Sequence, residues 1–586
     1  MLKVNVKEPP YHARGDGETD DTHPLQRAIK DVLAAGGGVV YIPAGTYFVS
    51  ASLELGSNCS VVGAGVDHTI IDLKHHNRVI AFDLPQPPIT GLIQTEDIQV
   101  GDQSNPIENQ LLSGDFIVYR NHKRFTEEWD GGAAIRGYYK SGELFKIKHA
   151  ETGLLQFEER ASLDLPYTSV AGVDGFTPYR HVVISHMTIK RNGEKKSGRE
   201  VTHNISIRIQ FCDGAHVHNI KSIHTNYAGL KIDRCMNIKV NQFESIGYSE
   251  TDGLLYGVLI ADANKYITLK KIYSRRNRHG VCGGNSGYGV PMYVTADGVY
   301  ISETTPNPSG QDTHALDCHG ASMCFVYRNC VLDKGMSISG IGHRVENVIS
   351  KSGVFMMYEG GSDMTFSHIT YHQCKGFYSK SALKRINYQF VHLNFYQYSR
   401  NQIAEGSSHL HFSHIRFINQ KLEKADKLDG IGLQLRNGYS IRDSYIEGFW
   451  QGLYVNGENC FVENMKLVNC GWKSLLSKYA CALRLSGLAS HSYINGVEIH
   501  FIHQKLTLGS PLRLDYLKQG EATSIWFARI KQIKHRYSSN SESPYAHPKF
   551  NQIFMYDCYL YPGPSQKWKA SGKYVEVNFT HKLKPQ

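Results

Sequence analysis

Four short polar segments in the middle of this chain carry residue types that handle protons and anions. They are SRRNRHGVCGG (274–284), GQDTHALDCHG (310–320), GIGHRVEN (340–347) and MYEGGSD (357–363). Arg and His can hold and neutralise a carboxylate or phosphate, Arg in a bidentate fashion. A neutral imidazole can take or give a proton near pH 7. Asp312 could orient a neighbouring imidazole, and Glu359 with Asp363 could supply the paired carboxylates that cut a glycosidic bond. The expected catalytic set is His279, Asp312, His314, Arg344 and Glu359. The expected binding set is Arg275, Arg276, Arg278, Asp252, Tyr256, His343, Tyr358 and Asp363. Asp252 and Tyr256 come from an upstream segment, GYSETDGLLYGV (247–258), that could extend the same groove. Asp317 and His319 belong to the same polar cluster. Each of these residues has a plainer reading as well: His279 and His314 as turn or ladder residues, Asp312 as a turn cap, Arg275 and Arg276 as a solvated face.

A metal is a weaker reading. His314 with His319, or Asp312 with Asp317, could ligate one, but neither pair matches HExxH or an EF-hand loop. No cofactor is expected, with calcium the one cation left open.

These segments must be positioned by something, and the chain between them is repetitive. A phrase of the form apolar, any, polar, apolar or small, any, apolar or small recurs at Ile184 (ISHMTI), Val217 (VHNIKS), Val240 (VNQFES) and Leu269 (LKKIYS). It returns at Tyr327, Val345, Phe366, Phe390, Phe412, Ile441, Val462 and Met555. From Tyr327 to Val462 the steps are 18, 21, 24, 22, 29 and 21 residues. Short strands at such a step form the coils of a solenoid. The fold predicted is all-β: a right-handed parallel β-helix with about three sheets. The polar third position would bond from coil to coil as a ladder, which absorbs His186, His368, His392 and His414. The 58-residue step from Leu269 to Tyr327 is the longest break, and loops projecting from it would share one face.

At the N-terminus, Leu25, Ala28, Ile29, Val32 and Leu33 form the apolar stripe of a helix that Thr22 or Asp21 can cap. Gly36-Gly37-Gly38 ends it and Val39–Ile42 is a strand. A helix of this kind covers the open end of a solenoid. This block, with SVVGAGVDHTIID at 60–72, resembles the N-terminus of pectate-lyase-like β-helix proteins, a superfamily of phage tailspikes and appendages, polysaccharide lyases, hydrolases and epimerases. The series RHG…DTH…HR is similar to a pattern in bacterial and phage members. The resemblance implies an acidic polysaccharide as partner, a depolymerase of tailspike type acting by elimination or hydrolysis, a homotrimer, and a virion-tail or extracellular location. Its rivals are a teichoic-acid phosphodiesterase and a glycan-binding spike without turnover. The expected organisation is a cap with first coils (1–83), a small antiparallel β insertion (84–180), the central β-helix (181–505), and last coils with a tail (506–586).

The remaining features narrow the class. The chain has 586 residues, with 64 Lys+Arg against 54 Asp+Glu, a net +10 that permits an acidic polymer without demanding nucleic acid. No run approaches the 18 apolar residues of a membrane span, and the first residues lack the apolar core of a secretory leader. Twelve Cys without a CxxC pair suggest buried free thiols, as in a chain folded in a reducing cytoplasm.

Overall fold

The computed structural model describes residues 1–586 apart from 77, 93–95, 107–109, 126–138, 152, 193–203, 249–253, 285–286, 307–312, 358, 380–384, 399–400, 403–406, 420–429, 472–479, 487, 503–509, 515–524, 535–544, 547–551, 557–573 and 579–586. The chain divides into two units, Met1–Arg344 and Val345–Gln586.

In the first unit the phrase becomes a long strand in each coil. Tyr179–Lys190, Cys212–Thr225, Lys239–Gly247, Lys265–Arg275, Met292–Ser302 and Val326–Leu332 pair in parallel, each with the next. A second parallel sheet runs Leu53–Glu54, Phe82–Asp83, Ile205–Gln210, Ala228–Asp233, Tyr256–Ile260, His279–Gly283, His314–Cys318 and Gly335–Ile338. This is an all-β parallel β-helix.

The polar third position has a cause that the sequence reading did not identify. Its residue sits in the left-handed region in coil after coil: His186 (φ 61°), Asn219 (53°), Gln242 (53°), Lys271 (52°), Asn329 (55°) and, in the second unit, His368 (52°), His392 (54°), His414 (53°), Asp443 (49°) and Asn464 (50°). Asn, Asp and His tolerate that conformation better than other residues with a Cβ. The residue bends the strand into two limbs, and pairing skips it: Ser185 faces His218 and Met187 faces Ile220. In the first coils the limbs are separate strands, Cys59–Gly63 and Thr69–Asp72, both paired to Tyr179–Lys190. Two limbs and the second sheet make the three faces. The ladder itself is mixed. Asn464 Nδ2 donates to Asp443 Oδ1 at 3.1 Å, whereas the imidazoles of His368, His392 and His414 pack ring on ring 4.7 Å apart.

The 58-residue step is not one long loop. It holds the strand Met292–Ser302, whose corner residue is Gly298 (φ 73°), so the polar signal is missing there. In the second unit, Phe366, Phe390 and Phe412 stack inside the coils at 5.2 and 4.7 Å.

The helix Thr22–Ala34 buries Leu25, Ala28, Ile29 and Val32 over the first coils. Asp21 precedes it without capping it. Its carboxylate accepts from the Arg14 and Gly15 backbone N–H instead (2.7 and 2.9 Å). Gly38 is obligatory, because a Cβ there would lie 2.0 Å from the Leu2 carbonyl oxygen. The insertion is an antiparallel sheet of Thr90–Leu92, Ser104–Asn105, Phe116–Arg124, Lys140–Glu151, Leu154–Phe157 and Val170–Phe176. It packs Phe116, Val118, Leu144 and Phe176 against Phe211, Met236 and Ala263 of the coils. Among the described residues, eleven cysteines are free and ten of them are buried, and no helix is long and apolar enough to cross a membrane.

Candidate active site

Parallel register builds the site. Tyr256 faces His279 and Cys282 faces Asp317 on neighbouring strands of the second sheet. Tyr256, His279, Cys282 and Asp317 therefore sit on strands of adjacent coils, with Arg278 and His319 one residue beyond strand ends.

Asp317 is the centre. Its Oδ2 lies 3.4 Å from His279 Nε2 and 3.4 Å from His319 Nε2, and all three side chains are at least nine-tenths buried. The Nδ1 of His279 lies 2.5 Å from the His314 carbonyl oxygen. A carbonyl only accepts, so Nδ1 carries the proton and Nε2 of the neutral ring keeps its lone pair. Burial, with Arg278 nearby, pushes the His279 imidazolium well below the usual range, and the Asp317 charge opposes this only in part. Burial resists ionisation of Asp317, but His319, His279, His314 and Arg278 outweigh it and hold the carboxyl well below the usual carboxylate range. The site thus holds a carboxylate beside a neutral His279 whose proton sits on Nδ1.

Tyr256 stacks on His279 with ring centres 5.7 Å apart and planes 20° apart. Its phenol oxygen accepts from Arg278 Nη2 at 3.2 Å. The insertion supplies a wall, with Tyr139 lying 6.0 Å ring to ring from His319. Ligand atoms of Cys282, Asp317 and His319 lie within 4.8 Å of one another, the one such group among the described residues.

The structure thus joins His279, Arg278 and Tyr256 with Asp317 and His319. Asp317 and His319 could be read from sequence only as members of the polar cluster, since the Cys282–Asp317 register is invisible without the coil boundaries. Other expected residues lie elsewhere. Arg275 and Arg276 are exposed and meet Glu303 at 3.8 and 2.8 Å. Arg344 is exposed, and its charge bears on the Cys324 thiol. Asp363, in the second unit, is exposed and accepts from Asn387 Nδ2 at 2.7 Å, while Glu359 is buried in that unit. Asp312, Asp252 and Tyr358 lie outside the described residues.

His343 corrects the expectation of a substrate contact. It is fully buried, its Nδ1 accepts from the Phe325 N–H at 2.9 Å, and its Nε2 lies 2.9 Å from the Ser339 carbonyl oxygen. Gly340, at φ 120°, lets the chain pass so close that a Cβ would meet His343 Nε2 at 2.5 Å. Burial lowers its imidazolium from 6.5 to about 4, opposed by the Ser339 carbonyl. Below pH 6.5 the unfolded state takes the proton and the folded state does not, so stability falls as pH drops from 6.5 to about 4. At about 1.4 kcal/mol per tenfold change in proton affinity, the loss is about 3 kcal/mol. Denaturant titrations at pH 7 and pH 4.5 should show a smaller acid loss in His343→Gln than in wild type. Equal losses would remove His343 from the account.

A family described as rhamnogalacturonase A/epimerase, pectate lyase-like, matches residues 3–98, and one described as Gp49, pectin lyase-like, matches residues 223–405. The chain is 27% identical over 289 residues to the pre-neck appendage protein of Bacillus phage B103, covering 47% of this chain and 30% of that one. It is 44% identical over 79 residues to alginate lyase 7 of Azotobacter vinelandii, covering 12% of this chain and 9% of the relative. These curated relatives are matched over less than a third of their length. Among solved structures, the tailspike gp49 of Pseudomonas phage LKA1 is similar at a TM-score of 0.50 and 15% identity, over 94% of this chain and 84% of that one. The tailspike gp61 of Pseudomonas phage phi297 matches at 0.50 and 15%, over 92% and 83%. At these identities the structural likeness concerns the fold.

Proposed function

Because the chain is a pectate-lyase-like parallel β-helix protein, we propose that it is a phage-tailspike-type depolymerase that cleaves an acidic polysaccharide by β-elimination at a uronate. The observation that carries this is the His279 ring, fixed as a base by the His314 carbonyl, between Asp317 and the Arg278–Tyr256 pair. Arg278 neutralises the uronate carboxylate and so acidifies the C5 proton. His279 Nε2 takes that proton, and Asp317 stabilises the imidazolium that forms. The C5 electron pair becomes the C4–C5 double bond and the C4–O bond breaks. Tyr256, whose oxygen accepts from Arg278, gives its proton to the leaving oxygen. The phage appendage and alginate lyase relatives support the substrate class and a virion-tail location.

The test is incubation with a panel of acidic glycans, uronate polymers first. An unsaturated product absorbing in the near ultraviolet is expected. Reducing ends without that absorbance would replace elimination with hydrolysis, glycerol phosphate would point to teichoic acid, and unchanged viscosity on every polymer would leave a binding spike. Hydrolysis has one observation in its favour. Asp262 is pushed up to about 7 by burial and by the neighbouring Asp233, so near neutral pH it holds a proton about half of the time, as a general acid of a glycosidase would.

The role given to His314 is through its backbone. His314→Ala keeps the carbonyl, so turnover should fall by no more than about tenfold. A loss as large as that of a His279 variant would restore the imidazole to the machinery.

A further inference from the structure

We propose that Cys282, Asp317 and His319 form a binding site for a transition-metal dication, with zinc as the ion. The ion lies beyond the substrate assignment above, and the geometry of the cluster carries it whatever the glycan.

Three observations converge. First, the donor set is a thiol, a carboxylate and an imidazole, whose ligand atoms lie within 4.8 Å of one another with every residue buried. Thiolate and imidazole select zinc and its neighbours over calcium or magnesium, which take oxygen. Second, Asp317 Oδ2 and His319 Nε2 are 3.4 Å apart. That is longer than the about 2.7–2.9 Å of a charge-assisted hydrogen bond. It is close to the edge of about 3.3 Å that two donors define when each is about 2.0–2.1 Å from one tetrahedral ion. Third, the fold sets the donors rigidly. Cys282 and Asp317 are register partners on adjacent parallel strands, and the His319 backbone N–H donates to the Gly283 carbonyl at 2.8 Å. A Cβ on Gly283 would come 2.2 Å from Phe325, so the strand is seated against the core with no slack.

Binding replaces the Cys282 thiol proton, which goes to solvent, and yields a thiolate–zinc bond without any change of oxidation state. Three protein donors leave a fourth position open, the arrangement of catalytic rather than structural zinc. His279, whose Nε2 lies 3.4 Å from the same Asp317 oxygen, is not one of the clustered donors and keeps its role as base.

The experiment uses the full chain, free of any histidine tag, dialysed against buffer with trace zinc and analysed by metal mass spectrometry, then reloaded with cobalt. About one equivalent of zinc is expected to remain bound, and cobalt should show a thiolate charge-transfer band with the intense visible bands of a tetrahedral site. Cys282→Ser should abolish the charge-transfer band, and His319→Gln should weaken zinc binding on the order of a hundredfold, both with the fold checked by circular dichroism. Cys324→Ser, at the half-exposed thiol, should change neither readout. Zinc lost on dialysis, or a band that survives Cys282→Ser or vanishes in Cys324→Ser, would overturn the site. Neither readout needs turnover, so failure of the depolymerase reading and failure of the metal site are separately visible.

Discussion

His279→Gln lowers turnover on the cleaved glycan by about 10²–10⁴-fold while the protein stays folded, the range over which a positioned base accelerates proton transfer. The size follows from how the ring is held. Its Nδ1–H is committed to the His314 carbonyl at 2.5 Å, so Nε2 is the ring's one basic nitrogen. Tyr256 covers its face and Asp317 stands 3.4 Å from its Nε2. Gln can fill much of the volume and can still donate to the carbonyl, but it cannot accept a proton. Arg278→Lys belongs with it. The charge is kept but the planar fork is lost, and the Tyr256 contact with it, so KM for a uronate polymer should rise. Full turnover in a folded His279→Gln protein would move the chemistry to the Asp233–Asp262 carboxylates.

The fold was legible because its determinants are local and periodic. A left-handed corner every coil favours Asn, Asp, His or Gly, and apolar residues on either side must point inward, so the phrase repeats where the physics repeats. The helix stripe at Leu25, Ala28, Ile29 and Val32 was legible for the same reason. The site was legible only in part. His279, Arg278 and Tyr256 could be singled out as reactive types near breaks in the rhythm. The central place of Asp317 could not, because it depends on Cys282 and Asp317 being register partners across a connection of 30 residues, from Gly284 to Thr313. Gly298 hid the strand Met292–Ser302, which made two coils look like one loop. His343 was misjudged because a histidine in a glycine-rich segment looks the same from sequence whether it lines a groove or, as here, fills the space that the glycines open.

Glu143→Gln should destabilise the protein by about 3–5 kcal/mol, the cost of leaving a buried charge without its partner. Glu143 Oε1 lies 2.7 Å from Lys265 Nζ, and neither side chain is more than 1% exposed. The same carboxylate accepts from the Ser162 N–H (3.0 and 3.1 Å) and the Leu163 N–H (3.0 Å), and the ammonium lies 4.5 Å from the Phe145 ring centre. Glu143 belongs to the insertion and Lys265 to the coils, so the pair ties one to the other across the surface packed by Phe116, Leu144 and Phe211. In Glu143→Gln the amide oxygen can still accept from Ser162 and Leu163, but the amide NH2 then faces the ammonium, donor against donor, which adds to the loss of charge. The double variant Glu143→Gln with Lys265→Met removes the ammonium and fills its space, and should recover part of the loss, since a buried ion pair and a well-packed apolar replacement are often close in stability while Glu159 also loses the favourable Lys265 charge. The weakening should be visible first in the insertion, as faster hydrogen exchange along Lys140–Glu151 than along Lys265–Arg275. Because Tyr139 of the insertion stands against His319, turnover should fall in the single variant and return in the double. A double variant as unstable as the single one would mean that the lost stability came from packing, and that the charge pair only marks the place where insertion and coils meet.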